Sequence, residues 1–176
     1  MNMIQKVAGS FVALVVVTCA QNAAAQNQTF TVEVASSVTL TAPEDASIPH
    51  DTTDANQSFG VSNWGVTCNN GAGATVDFRT TAVFQNGSTE RDLQMTVSIV
   101  SSDTDSGGNA VWSVNPALTT YSSDYAGSDR AGHVQATSAG PGNATLGLAM
   151  VFVDNDYSLL PAGDYTVQVT GTITSN

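Results

Sequence analysis

Apolar and polar residues alternate along much of this chain, most regularly near its C-terminal end. Tyr165, Val167, Val169, Gly171 and Ile173 are separated by Thr166, Gln168, Thr170 and Thr172. A period of two is the signature of a β-strand with one face buried and the other in water. Upstream, Leu146, Leu148, Met150 and Phe152 lie on one face of an apolar run over 144–153, and the turn Pro161-Ala162-Gly163-Asp164 separates the two. Nothing in the sequence follows the last run to cover it. An uncovered strand is either an edge to be protected or an edge for a partner.

The same alternation recurs from the other end. Phe30, Val32, Val34, Val38 and Leu40 alternate with Thr31, Glu33, Ser37 and Thr39, which predicts a strand over 30–41. Residues 42–57 (APEDASIPHDTTDANQ) are rich in Pro and Asp and predict a long loop. Phe59 and Val61 bring the chain back into a sheet. Trp64, Val66 and Cys68 share a face, and Ala74, Val76 and Phe78 resume the pattern after Asn69-Asn70-Gly71-Ala72-Gly73. Ala82–Phe84 form a short apolar piece. Leu93, Met95, Val97 and Ile99 alternate cleanly, Val111, Trp112 and Val114 form a short strand before Pro116, and 133–137 form another within a loop-like stretch over 118–141. No window of helical length carries a 3.6-residue apolar period. Many short strands with turn signals between them predict an all-β sandwich.

Three further features refine this picture. Residues 1–25 read as a secretory signal peptide: Lys6, an apolar core over 11–17, and Ala23-Ala24-Ala25 as a small-residue cleavage site. The apolar run is short for a membrane span. Cys19 suggests lipoprotein processing as an alternative, although Thr18 is an unusual residue before such a cysteine. The expected organisation is a leader over 1–25, an N-terminal strand over 26–41 and a sandwich domain over 42–176. All 15 acidic residues fall after the leader, facing only Arg79, Arg91 and Arg130, and the whole chain carries a formal net charge of −11. Such a surface repels phosphate backbones, so nucleic acid is not an expected partner.

After leader removal Cys68 is the remaining cysteine, so no intrachain disulfide is available. Its parity with Trp64 and Val66 predicts a buried thiol acting as a small hydrophobe. Asn27, Asn56, Asn86 and Asn143 head Asn-x-Ser/Thr triplets, which are frequent by chance in such a composition. Asp103, Asp105 and Asn109 place oxygen donors as a Ca²⁺ loop would, but without the bidentate Glu that closes one, so a turn is expected and no metal. Asp154-Asn155-Asp156 reads as another turn. His50 and His133 are the two histidines, and neither has a nucleophile's motif around it. Serine-hydrolase, zincin, P-loop and dinucleotide fingerprints do not occur, so no catalytic residue and no cofactor is expected. Trp64 and Trp112 sit in apolar strands and are expected in the core rather than on sugars. Tyr121 and Tyr125 are expected nearer the surface.

Taken in order, TFTVEVASSVTL (29–40), Phe59-Gly60, VTCNNG (66–71), LQMTVSIVSSD (93–103), VWS (111–113) and PAGDYTVQVTGTIT (161–174) resemble the archaic chaperone–usher pilins, including the spore-coat-U-like subunits. The resemblance implies an Ig-like β-sandwich that lacks its last strand and is completed by donor-strand exchange with the next subunit of an extracellular filament. A periplasmic chaperone and an outer-membrane usher are the implied helpers. It assigns Phe30, Val32, Val34, Val38 and Leu40 to the donor strand and Tyr165, Val167, Val169 and Ile173 to the acceptor edge. Family members usually pair the strand cysteine with one in the first strand, where this chain has Val38 and Thr39. Two functions are therefore expected: a secreted structural subunit of a pilus-like filament, or a monomeric secreted or cell-surface binding module such as an adhesin or matrix protein.

Overall fold

A computed structural model describes residues 28–176. The leader expected over 1–25 and the triplet at Asn27 lie outside the described residues. The chain divides into a unit ending at Val34 and a compact unit, Ala35–Asn176. The second unit is all-β, as the alternation requires. Its strands are β1 (Val38–Thr41), β2 (Gln57–Cys68), β3 (Ala74–Arg79), β4 (Phe84–Asn86), β5 (Thr89–Arg91), β6 (Leu93–Ser102), β7 (Trp112–Val114), β8 (Thr120–Ser122), β9 (His133–Ser138), β10 (Ala144–Phe152) and β11 (Thr170–Ser175). Two single turns of 3₁₀ helix, Pro116–Leu118 and Tyr157–Leu159, are the helical elements among the described residues.

One antiparallel sheet has the order β1-β2-β10-β6-β8, and the second has β11-β3-β9-β7, with β4-β5 a separate hairpin. The inward positions of both sheets supply one core. Leu93, Met95 and Val97 of β6 and Leu146, Leu148 and Phe152 of β10 come from the first sheet. They meet Val76 and Phe78 of β3 and Val134 and Ala136 of β9 from the second. Polar residues take the alternate outward positions, so burying one face fixes the register. Trp112 closes one end of the core, its indole N–H donating to Gly142 O at 3.0 Å. Cys68 is a free, buried thiol at the end of β2, as its parity predicts.

The chain re-enters the sheet through Phe59 and Val61, as expected, but the two do not share a face. Residues Ser58–Val61 oppose fewer residues of β10 than a regular ladder requires, and Gly60 takes φ +75° at this bulge. A bulge reverses the alternation, so Phe59 turns inward and Val61 is exposed. One sequence expectation changes: the strand predicted over 30–41 is shorter, since ladder pairing is confined to Val38–Thr41 against Gly65–Cys68. Asn69 fixes the start of β1 by accepting from Ser37 N–H and donating to Ala35 O.

Candidate functional site

The two sheets come together at β1 and β11, then part. Leu40 of β1, Trp64 of β2 and Gly171 of β11 meet there. A Cβ at Gly171 would stand 2.7 Å from the Trp64 ring and 2.9 Å from Leu40 Cδ2. Glycine at this inward position is what lets the sheets touch. Beyond it the β1–β2 ladder stops. Continuing its register would set 42–49 against 64–57, but those residues form no strand. Pro43 and Pro49 lack the N–H a ladder needs. The chain therefore leaves β2 and becomes one wall of a cleft.

The other wall is the segment before β11. Tyr165, Val167 and Val169 continue the inward alternation and are half-buried, yet they belong to no ladder. A single bridge holds this stretch, Thr166 and Gln85 exchanging two backbone bonds of 3.0 Å. The cleft between the walls has a volume of about 1090 Å³. Its floor is apolar: Trp64 lies at the closed end, Leu148 and Met150 in the middle, and Phe59, Phe84 and Phe152 at the open end. Phe84 stacks on Phe59 with centroids 5.6 Å apart and meets Phe152 edge-on at 5.2 Å. Phe152 in turn meets Tyr165 at 5.4 Å.

His50 anchors the far end of the first wall. Its ring stacks on Tyr157 at 5.1 Å and meets Phe152 edge-on. Thr52 N–H donates to its Nδ1 at 3.0 Å, which leaves the proton on Nε2, 3.5 Å from Asp154 Oδ2. Asp154 is 2% exposed, and its other oxygen faces Arg91 Nε at 3.7 Å. The sequence reads Asp154 as a plain turn residue. The turn is present, with Asp156 capping the Tyr157–Leu159 helix by accepting from Ser158 N–H, but Asp154 itself is a buried carboxyl between His50 and Arg91. Asp156 N–H donates to its Oδ1 at 3.2 Å, but alternation carries no sign of the burial, because its basic neighbours His50 and Arg91 are more than 60 positions away.

The expected acceptor residues come together as one edge, Tyr165, Val167 and Val169 along the cleft and Ile173 within β11 opposite Val76. The expected donor strand divides in two. Val38 and Leu40 pair and pack in the chain's own first sheet. Phe30, Val32 and Val34 belong to no strand and are 84%, 87% and 76% exposed. The other candidates are not gathered into a site. Cys68 Sγ faces Asn70 O at 3.9 Å, and neither histidine bonds to it. Asp105 accepts from Gly107 and Asn109 N–H, and Asp103 accepts from Asn143 N–H, so both carboxylates tie turns together. Trp64 and Trp112 are buried in the core, and Tyr121 is half-buried, donating to Asp129.

On the outer face of the second sheet His133 bonds Asp77, with Gln135 donating to the same carboxyl at 3.0 Å. Burial pushes the Asp77 carboxyl up. The bonds from His133 and Gln135, with the charges of His133 and Arg79, outweigh burial and leave it below the usual carboxylate range. This cluster bridges β3 and β9 and faces away from the cleft. Comparison of the chain with protein-family models, with curated proteins and with solved structures finds no match.

Proposed function

We propose that this protein is the structural subunit of an extracellular, pilus-like filament, secreted and then polymerised by donor-strand complementation between copies of itself. One observation carries the reading: an apolar cleft runs beside 165–169, which belongs to no ladder, and the chain carries an exposed apolar segment over 30–34 that belongs to no ladder either. The wall over 165–169 offers three inward side chains and a backbone whose one pairing is the Thr166–Gln85 bridge. Phe30, Val32 and Val34 offer three exposed apolar side chains at the same two-residue spacing. A segment of five residues spans roughly 17 Å, the length of the 165–169 wall. Strand addition supplies main-chain hydrogen bonds to the edge, while the pockets select alternate side chains. The donor is thus 30–34, with Val38 and Leu40 holding the donor's own sandwich together and 35–37 joining the two parts.

The reading is non-catalytic and needs no cofactor. Purified protein should form ladders on denaturing gels loaded without heating, collapsing to one band on boiling. A peptide covering 28–37, added in excess at refolding, should cap the subunits and shorten the ladders. A single species insensitive to the peptide would count against the filament. The placement of Val38 and Leu40 in the chain's own sheet favours a second reading, a self-sufficient secreted or cell-surface module that uses the same cleft to bind an extended ligand.

A further inference from the structure

We propose that the donor strand is electrostatically mismatched to its own cleft, Glu33 meeting Glu44, Asp45 and Asp164 at the rim, so that salt gates the joint. This rests on the donor-strand reading above. In either strand direction, placing Phe30, Val32 and Val34 in the cleft turns Thr31 and Glu33 outward to its mouth. Glu44 and Asp45 lie exposed on one wall and Asp164 on the other, and the lining holds no Lys or Arg. His50, its basic member, turns its Nε2 away to Asp154. Nor do the arginines offer an idle cation. Arg79 faces Asp77 at 3.5 Å, Arg91 faces Asp154 at 3.7 Å and Arg130 holds Glu90 at 2.7 Å. Insertion therefore brings a fourth carboxylate to three that have no cationic partner among the described residues.

These are solvent-exposed charges, so each repulsion is small and strongly screened. Their sum weakens the joint at low salt and nearly vanishes at high salt. Apolar contacts at Phe30, Val32 and Val34 set how tight the joint is, and Glu33 sets when it forms. A neutral or cationic residue at this outward position makes a better donor than the native one, so the site selects against its own strand until ions screen the rim.

The test uses the full chain carrying Val32→Ser and Val34→Ser, which removes its own donor without adding charge at exposed positions. Peptides covering 28–37, native or with Glu33→Gln, are titrated into it. At about 0.01 M ionic strength, with a Debye length of about 30 Å, the Glu33→Gln peptide should bind roughly three- to tenfold more tightly. At about 1 M, with a Debye length of about 3 Å, the difference should fall below about twofold. An acceptor also carrying Glu44→Gln, Asp45→Asn and Asp164→Asn should show no difference at either salt. If both peptides bind equally at low salt, or the gap persists at high salt or in the neutralised acceptor, the electrostatic gate is wrong and donor-strand binding stands. If neither peptide binds, the donor-strand reading fails and the gate with it.

Discussion

Replacing Val32 and Val34 with aspartate separates folding from assembly. Both side chains are more than three-quarters exposed and precede the compact unit. Exposed substitutions away from special features change stability by about 0.5 kcal/mol or less, so the melting temperature should hold. The effect on a joint is of another order. Burying Phe30, Val32 and Val34 is worth about 1.5–3 kcal/mol each, roughly 5–9 kcal/mol together before ordering costs. Losing both valines removes about 3–6 kcal/mol, and each carboxylate would have to be desolvated or expelled. At about 1.4 kcal/mol per tenfold, the joint weakens by at least two orders of magnitude. Size-exclusion chromatography with light scattering should find polymer in the parent and monomer in the variant, with matching far-UV circular dichroism and thermal melts. Undiminished polymer in the variant would refute the reasoning. A fall of many degrees in the melt would also refute it, by showing that 30–34 belong to the chain's own sandwich.

Gly171→Ala should destabilise the fold by about 1–3 kcal/mol, because its Cβ meets Trp64 and Leu40 well inside contact distance; an unchanged melting temperature would show that the two sheets do not close there. Cys68 should resist a thiol reagent in the native protein and react promptly once the chain is denatured, and rapid labelling of folded monomer would contradict its burial. Because the folded state holds the Asp77 carboxyl below its ordinary range, its contribution is complete at neutral pH and is lost as pH falls through the folded-state value. Asp77→Asn should accordingly cost about 1–2 kcal/mol at neutral pH and flatten the acid limb of a stability–pH profile; an unaltered limb would refute this.

The core strands were legible because alternation reports which face is buried. Leu93, Met95 and Val97, or Leu146 and Leu148, need only one buried side to declare themselves. Alternation is silent about pairing. Tyr165, Val167 and Val169 have the same pattern as Gly171 and Ile173, yet only the second group sits in a ladder, because β3 reaches no further. Phe30 to Leu40 were equally uniform in sequence, and the division at Val38 depends on where β2 offers an edge. The bulge at Gly60 was signalled by an isolated glycine in a strand, although its effect on Val61 was not. The His50–Asp154–Arg91 cluster was invisible because two loops and the end of β5, distant in sequence, bring it together, and the cleft because it is a space rather than a residue.

The place of β10 in the chain has a kinetic consequence. It is the middle strand of its sheet, hydrogen-bonded to β2 on one side and β6 on the other, yet both of those are synthesised well before it. Where the chain emerges N-terminus first, β2 must wait for its neighbour until more than 70 further residues have appeared. Pairings this distant in sequence also close slowly once the chain is complete. During that interval two long amphipathic strands have open edges, which makes the partly emerged chain a species in need of a holdase.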